Sequence, residues 1–312
     1  MWFRNLIVYR LPADWSMSAV ELEQRLEGDR LRPCSPLEMQ SRGWVEAAPT
    51  GRLVHTVAGH HLIALGVDQK LLPSSIVRQV AKERAVEIAA EQGFPVGRRQ
   101  MRELKLRVLE ELRARALTRR RVTRAWIAPQ GGWFVVEASG AARAEQVIET
   151  LRMATGTFAV TPVKGDRSPH LTMAHWLRHG DLPARFTIDP ELELKAADKA
   201  RGSIRYSRHP FDSRQVQALL VGGLRVTRLG LTWRERVALV VNDKLELKRI
   251  ELLGVDRDSD AEGETAGESE GEAEAAERFD VDFMLMAGEL SGLLADIDAA
   301  MGASATPAQQ AA

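Results

Sequence analysis

Few residues in this sequence have the types and spacing that catalysis requires. His60 and His61 are adjacent in a candidate strand, so their side chains point to opposite faces and make a poor metal pair. His170 and His175 are five residues apart on a candidate helix, about 140° out of register, which is wrong for joint ligation. Glycine-rich phosphate-binding motifs and the serine-hydrolase elbow are absent from the sequence. We therefore predict a protein that is not an enzyme and uses no cofactor or metal.

Acidic residues near the C-terminus offer the one alternative chemistry. Asp280, Asp282 and Glu289 could hold Mg²⁺ in a nuclease or phosphotransferase, but no further acids cluster with them. We expect Asp280 and Asp282 to precede a helix instead, where negative charge is favourable to the helix macrodipole. The single cysteine, Cys34, has no base partner in the sequence, and its isolation fits a reducing cytoplasm.

The strongest chemical signal is a concentration of arginine between Arg98 and Arg124. This window holds eleven basic residues against three acidic ones, and ten of the eleven are arginines. The guanidinium fork bonds phosphate oxygens in pairs, and a row of such cations releases condensed counterions from DNA. The alternative is a solvated helix face with internal Glu–Arg pairs, but three acids cannot neutralise eleven bases. The residues that we expect to contact DNA are Arg98, Arg99, Arg113, Arg115, Arg119, Arg120 and Arg121.

A second basic group includes Arg208 and His209, although ordinary surface charge accounts for it equally well. The net charge of zero hides an asymmetry, because residues 1–254 carry 41 basic and 28 acidic residues, whereas residues 255–312 carry 2 and 15. Such a distribution is typical of a polyanion-binding body with an acidic segment. Aromatic RNA-binding motifs, zinc-finger spacing and a convincing helix-turn-helix are all missing, so backbone contacts are the default.

Apolar periodicity predicts an α+β fold with mixed or antiparallel sheets and an inserted helical hairpin. We expect a central α+β domain (1–72 and 122–166), a helical hairpin with a basic second arm (73–121), a base α+β domain (167–301) containing a disordered acidic insertion (255–277), and a flexible tail (302–312). The start of the chain lacks the features of a signal peptide, and no stretch approaches the roughly 20 apolar residues that span a bilayer. We therefore expect a cytoplasmic protein with no membrane partner.

Several segments together resemble the RdgC family of bacterial recombination-associated proteins. They keep the family's order and rough spacing: Met1 to Leu11, Pro33-Cys34, Gly43-Trp44-Val45, Leu71-Leu72-Pro73-Ser74, Trp126-Ile127 and Arg278 to Leu290. The resemblance implies a ring-shaped homodimer whose positive central hole encircles double- and single-stranded DNA with little sequence preference. It further implies a nucleoid-associated protein that restrains RecA-dependent strand exchange. The rival function is an interaction protein that binds RecA or another recombination partner directly, with DNA binding secondary.

The resemblance also implies roles for single residues. Arg115 and Arg119 fall on arginines of the family's basic gate segment, and Arg208 and His209 match a pair that resembles a DNA-contact site. Arg98 and Arg99 match a Lys-Lys pair on the hairpin. Leu117 falls where relatives can carry a phenylalanine that docks across one dimer contact, which makes it a candidate dimer gate. The alternative is that Leu117 makes a last helix contact with the core strand at Trp126.

Overall fold

In the computed structural model, the described residues are 2–165, 167–196, 202–254 and 272–302. The helices are α1 (Ala19–Glu27), α2 (Ser74–Gln92), α3 (Arg98–Arg115), α4 (Ala141–Thr155), α5 (Pro169–His179), α6 (Ser213–Val221) and α7 (Glu272–Ala300). The strands are β1 (Leu6–Arg10), β2 (Gln40–Val45), β3 (Val54–Val57), β4 (His60–Lys70), β5 (Thr118–Ala128), β6 (Trp133–Glu137), β7 (Thr161–Pro162), β8 (Phe186–Ala196), β9 (Ser203–Ser207), β10 (Leu224–Trp233), β11 (Val237–Asn242) and β12 (Leu247–Leu252). The predicted α+β class is confirmed.

All named strands belong to one twelve-stranded sheet, in the order β2-β4-β5-β6-β1-β12-β11-β10-β8-β9, with β3 beside β4 and β7 beside β1. The strand pairs are antiparallel throughout. The first strand lies in the interior of the sheet, where β1 pairs with β6 over its whole length and meets β12 at Leu6 and Leu247. The same sheet therefore runs through the regions predicted as central and base domains.

Both faces of the sheet are buried around β1. Alternate residues of a strand point to opposite faces, and Leu6 and Val8 belong to one apolar cluster while Ile7 and Tyr9 belong to another. Helix α7 covers the first face, and α1 and α4 cover the second. Burial on both sides explains why the sequence of β1 is apolar without a break.

An ion pair ties the first strand to the last helix. Arg10 of β1 donates to Asp298 of α7, and its guanidinium carbon lies 3.5 Å from the ring centroid of Trp133. Burial lowers the pKa of Arg10 and raises the pKa of Asp298, although each charge partly offsets the shift of the other. The pair therefore lies in an environment where either charge alone would be costly.

Helices α2 and α3 pack against each other and form an apolar cluster separate from those of the sheet. Its buried members are Val77, Ala81, Ala85, Leu104 and Val108. Helix α2 ends because Gly93 adopts the left-handed conformation, with φ of 78° and its N–H bonded to the carbonyl of Ala89. The two helices lie between β4 and β5 in the chain, and the β4–β5 ladder therefore connects them to the sheet.

Several predicted boundaries differ from the structure. Strand β5 begins at Thr118, inside the range predicted as the helical hairpin (73–121), because residues 118–122 pair with the end of β4. Helix α7 begins at Glu272, within the segment predicted to be a disordered insertion, since alanine and glutamate favour helix there. Asp280 and Asp282 consequently lie inside the helix, and the prediction that they precede it is wrong. Residues 255–271 and 303–312, which make up most of the predicted insertion and tail, lie outside the described residues.

None of the helices in the described ranges combines the length and hydropathy needed to cross a bilayer.

Candidate nucleic-acid interface

Three arginines form a line along one flank of α3. Arg98, Arg102 and Arg113 differ by four and eleven residues, which places successive members within about 40° of each other around the helix axis. The line extends about 22 Å at 1.5 Å per residue. None of the three makes an ion pair in the part of the chain that the structure describes. Arg102 is not among the residues predicted to contact DNA. Its spacing of four residues from Arg98 indicates that both lie on the same side of the helix.

The acidic residues of α3 lie away from this line and are mostly paired. Glu111 accepts two hydrogen bonds from Arg84 of α2, which lower the pKa of Glu111 below its usual value. Glu103 pairs with Arg99 one turn earlier at 3.2 Å. The helix therefore separates its charges, with one flank left cationic.

The arginines that follow α3 do not form one surface, because they lie on a strand. Side chains alternate along β5, so Arg119 and Arg121 share one face of the sheet and Arg120 points to the other. Arg121 donates to Gln146 of α4 at 3.3 Å. The predicted contact residues Arg119, Arg120 and Arg121 are thus divided between the two faces of the sheet.

Arg120 has a structural partner. Its guanidinium donates two hydrogen bonds, of 2.8 and 2.9 Å, to the carboxylate of Asp68 on the neighbouring strand β4. The Asp68 side chain is only 7% exposed, and the hydrogen bonds from Arg120 lower its pKa below the usual value. The charge of Arg120 is therefore already compensated within the sheet.

Most of the cationic side chains in the window from Arg98 to Arg124 make no ion pair with a described residue, although Arg115 and Arg124 act electrostatically on Glu111 and Glu137. Of the eleven, only Arg99 and Arg120 make ion pairs with described residues. The others are Arg98, Arg102, Lys105, Arg107, Arg113, Arg115, Arg119, Arg121 and Arg124. We call Arg98, Arg102 and Arg113, which lie on one flank of α3, the arginine surface. These contacts agree with the expectation that the three acidic residues of this window cannot neutralise its eleven basic ones.

Arg208 and His209 lie far from the arginine surface in a single chain. They occupy the turn between β9 and α6, and seven strand positions separate β9 from β5, or roughly 34 Å at about 4.8 Å per strand. Both side chains are exposed, and Arg208 makes no ion pair with any described residue. Its φ of 55° is in the left-handed region that residues other than glycine rarely adopt.

Leu117 is 78% exposed at the junction of α3 and β5. Leu71, which is 52% exposed, lies opposite it and donates its backbone N–H to the Leu117 carbonyl at 2.8 Å. Trp126 is fully buried, nine residues further along β5. The alternative in which Leu117 contacts the core strand at Trp126 is therefore wrong, and the two leucines form an exposed apolar pair.

The histidines singled out in the sequence have ordinary partners. His60 accepts a hydrogen bond from the Trp126 indole at 3.3 Å, and His61 bonds Thr56 at 3.0 Å on the opposite face. Burial lowers the pKa of both rings, which favours their neutral forms. His170 and His175 bond Ser168 and Asp181, respectively.

The three acids considered for a nuclease site are not brought together. Asp280 lies 2.9 Å from the buried His55, and Glu289 pairs with Arg236 at 2.8 Å. Nine residues of helix put Asp280 and Glu289 about half a turn apart. Across the described ranges, no group of three His, Cys, Asp or Glu side chains is placed to hold a metal ion.

Comparison with known proteins gives a consistent result over nearly the whole chain. A family model described as "Putative exonuclease, RdgC" matches residues 1–304. The chain is 42% identical over 315 residues to the recombination-associated protein RdgC of Dechloromonas aromatica, covering 99% of this chain and 100% of that protein. It is 41% identical to the protein of the same name from Cupriavidus necator and 38% identical to that of Bordetella pertussis, each covering 97% of this chain and 98% of the relative. This chain belongs to the RdgC family of recombination-associated proteins.

Proposed function

We propose that this protein binds DNA through its phosphate backbone, without reading base sequence, and acts as a homodimeric ring that restrains RecA-dependent recombination on chromosomal DNA in the cytoplasm. The observation that carries the proposal is an excess of cations: the arginine surface and six further cationic side chains of the same window make no ion pair with a described carboxylate. Membership of a recombination-associated family supports the same conclusion.

The chemistry of the arginine surface suits phosphate better than protein carboxylates or bases. Arginines spread over about 22 Å of helix match a regular line of charges, and each phosphate neutralised releases condensed counterions. Helix α3 itself contains no aromatic residue, so the helix offers no stacking platform for reading bases. Binding by this surface should therefore depend strongly on salt and weakly on sequence.

A ring that encloses DNA requires a contact between two copies of the chain near its central hole. The exposed Leu71–Leu117 pair could form such a contact. Two exposed leucines beside cationic residues can bury apolar surface against a second copy while the arginines face the DNA. Burial of one leucine contributes about 1.5–3 kcal/mol, and two-fold symmetry supplies the contact twice. We propose that Leu117 closes the ring in this way, as the dimer gate.

The proposal treats the protein as non-catalytic and free of cofactors. The family description names an exonuclease, and this makes nuclease activity the second candidate. The separate partners of Asp280 and Glu289 argue against a shared metal. Direct binding of RecA or another recombination protein is the third candidate, with DNA contacts secondary.

A salt-titrated binding assay tests these candidates together. Labelled duplexes of unrelated sequence should bind with similar affinities, and the affinity should fall steeply as salt rises. Binding of purified RecA that is insensitive to salt, with weak DNA binding, would favour the interaction protein. Degradation of DNA that depends on Mg²⁺ or Mn²⁺ and disappears in Asp280→Asn would favour the nuclease.

A further inference from the structure

The turn between α2 and α3 presents an aromatic ring to solvent. Phe94 is 61% exposed, and it is the one aromatic among the large apolar side chains that the described ranges leave exposed. Val96, two residues later in the same turn, packs against the apolar cluster of the hairpin, whereas Phe94 is not among the described members of that cluster. Packing within the hairpin therefore does not account for a phenylalanine at this position.

The backbone that carries this ring is held in place on both sides. Gly93 ends α2 in the left-handed conformation, and Pro95 has its φ fixed by its own ring. The side-chain amide of Gln92 donates to the Phe94 carbonyl at 2.9 Å and accepts a hydrogen bond from the amide of Gln100 at 3.1 Å. Phe94 is thus presented on an ordered support, so a ligand that contacts the ring does not have to order the turn first.

The same hydrogen bonds place positive charge beside the ring. Gln100 belongs to the first turn of α3, so its bond to Gln92 holds that turn against the backbone of Phe94. The first turn also contains Arg98 and Arg99, both exposed, and no acidic residue. The aromatic ring and the two guanidinium groups therefore lie at the same end of the hairpin.

This end of the hairpin has more positive than negative charge. From Glu91 to Arg102 the chain carries three arginines and one acidic residue. Arg98 and Arg102 make no ion pair with a described residue. The pair that Arg99 makes is exposed and contributes little, so a phosphate can replace its carboxylate. An exposed aromatic ring beside unpaired cations fits a ligand that is both aromatic and anionic.

We propose that Phe94 stacks on an unpaired base of single-stranded DNA while Arg98 and Arg99 contact the adjoining phosphates. Every base has a π-face, so this contact requires no particular sequence. A duplex is a poorer partner, because separating two stacked base pairs costs about as much as one aromatic contact returns. A second copy of this chain is also disfavoured, since a two-fold contact would bring the same arginines together. The inference rests on the proposed DNA binding and adds a preference for strands with accessible bases.

The test measures binding to two labelled strands of equal length and charge, one of deoxythymidine and one of abasic nucleotides. The unaltered protein should bind the thymidine strand at least about five-fold more tightly, which is the lower end of the range for one stacked base. Phe94→Ala and Phe94→Leu should both lose this preference with duplex affinity unchanged, whereas Phe94→Trp should keep it, because it retains an aromatic face. Val86→Ala is the matched control, since Val86 is 71% exposed on α2 of the same hairpin, and this variant should keep the preference.

The outcomes separate this inference from the function on which it rests. A preference for bases that persists in both Phe94→Ala and Phe94→Leu, with both proteins folded by circular dichroism, overturns Phe94 as its source. Equal binding of the two strands by the unaltered protein, with duplex binding retained, overturns the inference and leaves the proposed function standing. Dissociation of a dimer in Phe94→Ala, measured by sedimentation, also overturns it and assigns the ring to a contact between copies. Failure of the unaltered protein to bind any DNA refutes the proposed function, and this inference with it.

Discussion

Replacing Arg115, Arg119 and Arg121 together with alanine should weaken DNA binding while leaving the fold intact. Arg115 and Arg119 are exposed, Arg121 is half-buried and bonds only the neutral Gln146, and none of the three pairs with a carboxylate in the chain as described. Arg120 is kept in this variant because its removal would strand the buried carboxylate of Asp68. The triple variant therefore removes charge that is free to meet phosphate and leaves the sheet's own ion pair in place.

The size of the effect follows from counterion release. Each duplex phosphate that the protein no longer neutralises lowers the slope of log affinity against log salt by about 0.9, so three such phosphates lower it by about 2.7. When salt is raised from about 50 to about 200 mM, both proteins should lose affinity. The fold-loss of the unaltered protein should be about 40 times that of the variant. The weakening should be similar for unrelated sequences, because backbone contacts do not distinguish bases.

Fluorescence anisotropy with a short labelled duplex across a salt series measures both slopes. The matched control is Arg30, Arg32 and Arg185 replaced by alanine, which removes the same formal charge from arginines that already pair with carboxylates. The control should keep the slope of the unaltered protein. An unchanged slope in the folded triple variant, or an equal fall in the control, would refute the assignment of DNA contact to these arginines.

Four further outcomes are expected. Arg120→Ala should lower the free energy of unfolding by about 1–2 kcal/mol in urea titrations at neutral pH. The loss should shrink below about pH 4. The pKa of Asp68 is lowered in the folded protein, so the stability that its ion pair contributes is lost as acid protonates the carboxylate; a loss independent of pH would contradict this. Arg10→Ala should lower the free energy of unfolding by about 3 kcal/mol, because the half-buried carboxylate of Asp298 in α7 loses its partner. A loss below about 1 kcal/mol would show that water replaces Arg10 as that partner. Leu117→Asp should leave thermal stability nearly unchanged and reduce retention on circular DNA more than on short linear duplex, whereas unaltered retention would exclude the gate. Deleting residues 255–271 should strengthen DNA binding at low salt if this acidic segment competes with DNA, and weaker binding would argue the reverse.

Elements whose signals are local in the sequence could be predicted well. The capping box identifies Ser18 as the start of a helix, and its hydroxyl does accept a hydrogen bond from the backbone N–H of Glu21 at 3.2 Å. Gly93 is a second local signal: glycine is the residue type most favoured just after a helix, and it ends α2 in a left-handed conformation. In both cases the residues that form the contact lie within one or two helical turns of each other.

Elements that depend on distant residues could not be predicted in the same way. Arg119, Arg120 and Arg121 show no apolar alternation, so nothing local indicates a strand, and their conformation comes from pairing with β4. The partner of Arg120 is 52 residues away in sequence. The concentration of positive charge is visible from composition, but the face that each arginine occupies requires the register of the sheet. A cavity of about 470 Å³ beside α6 likewise combines residues of α5, β8 and the β9–α6 turn, which share no sequence pattern.

The interior position of β1 has a consequence for how the chain is made. Strand β1 pairs with β6, then with β7, and meets β12 only after some 240 further residues have been synthesised. Its last partner, α7, contacts Phe3 and Arg10 from the far end of the chain. At about 5–20 residues per second, the nascent strand waits tens of seconds for these partners. Its apolar residues must be shielded during that interval, and the sheet can close around β1 only after β12 and α7 have been synthesised.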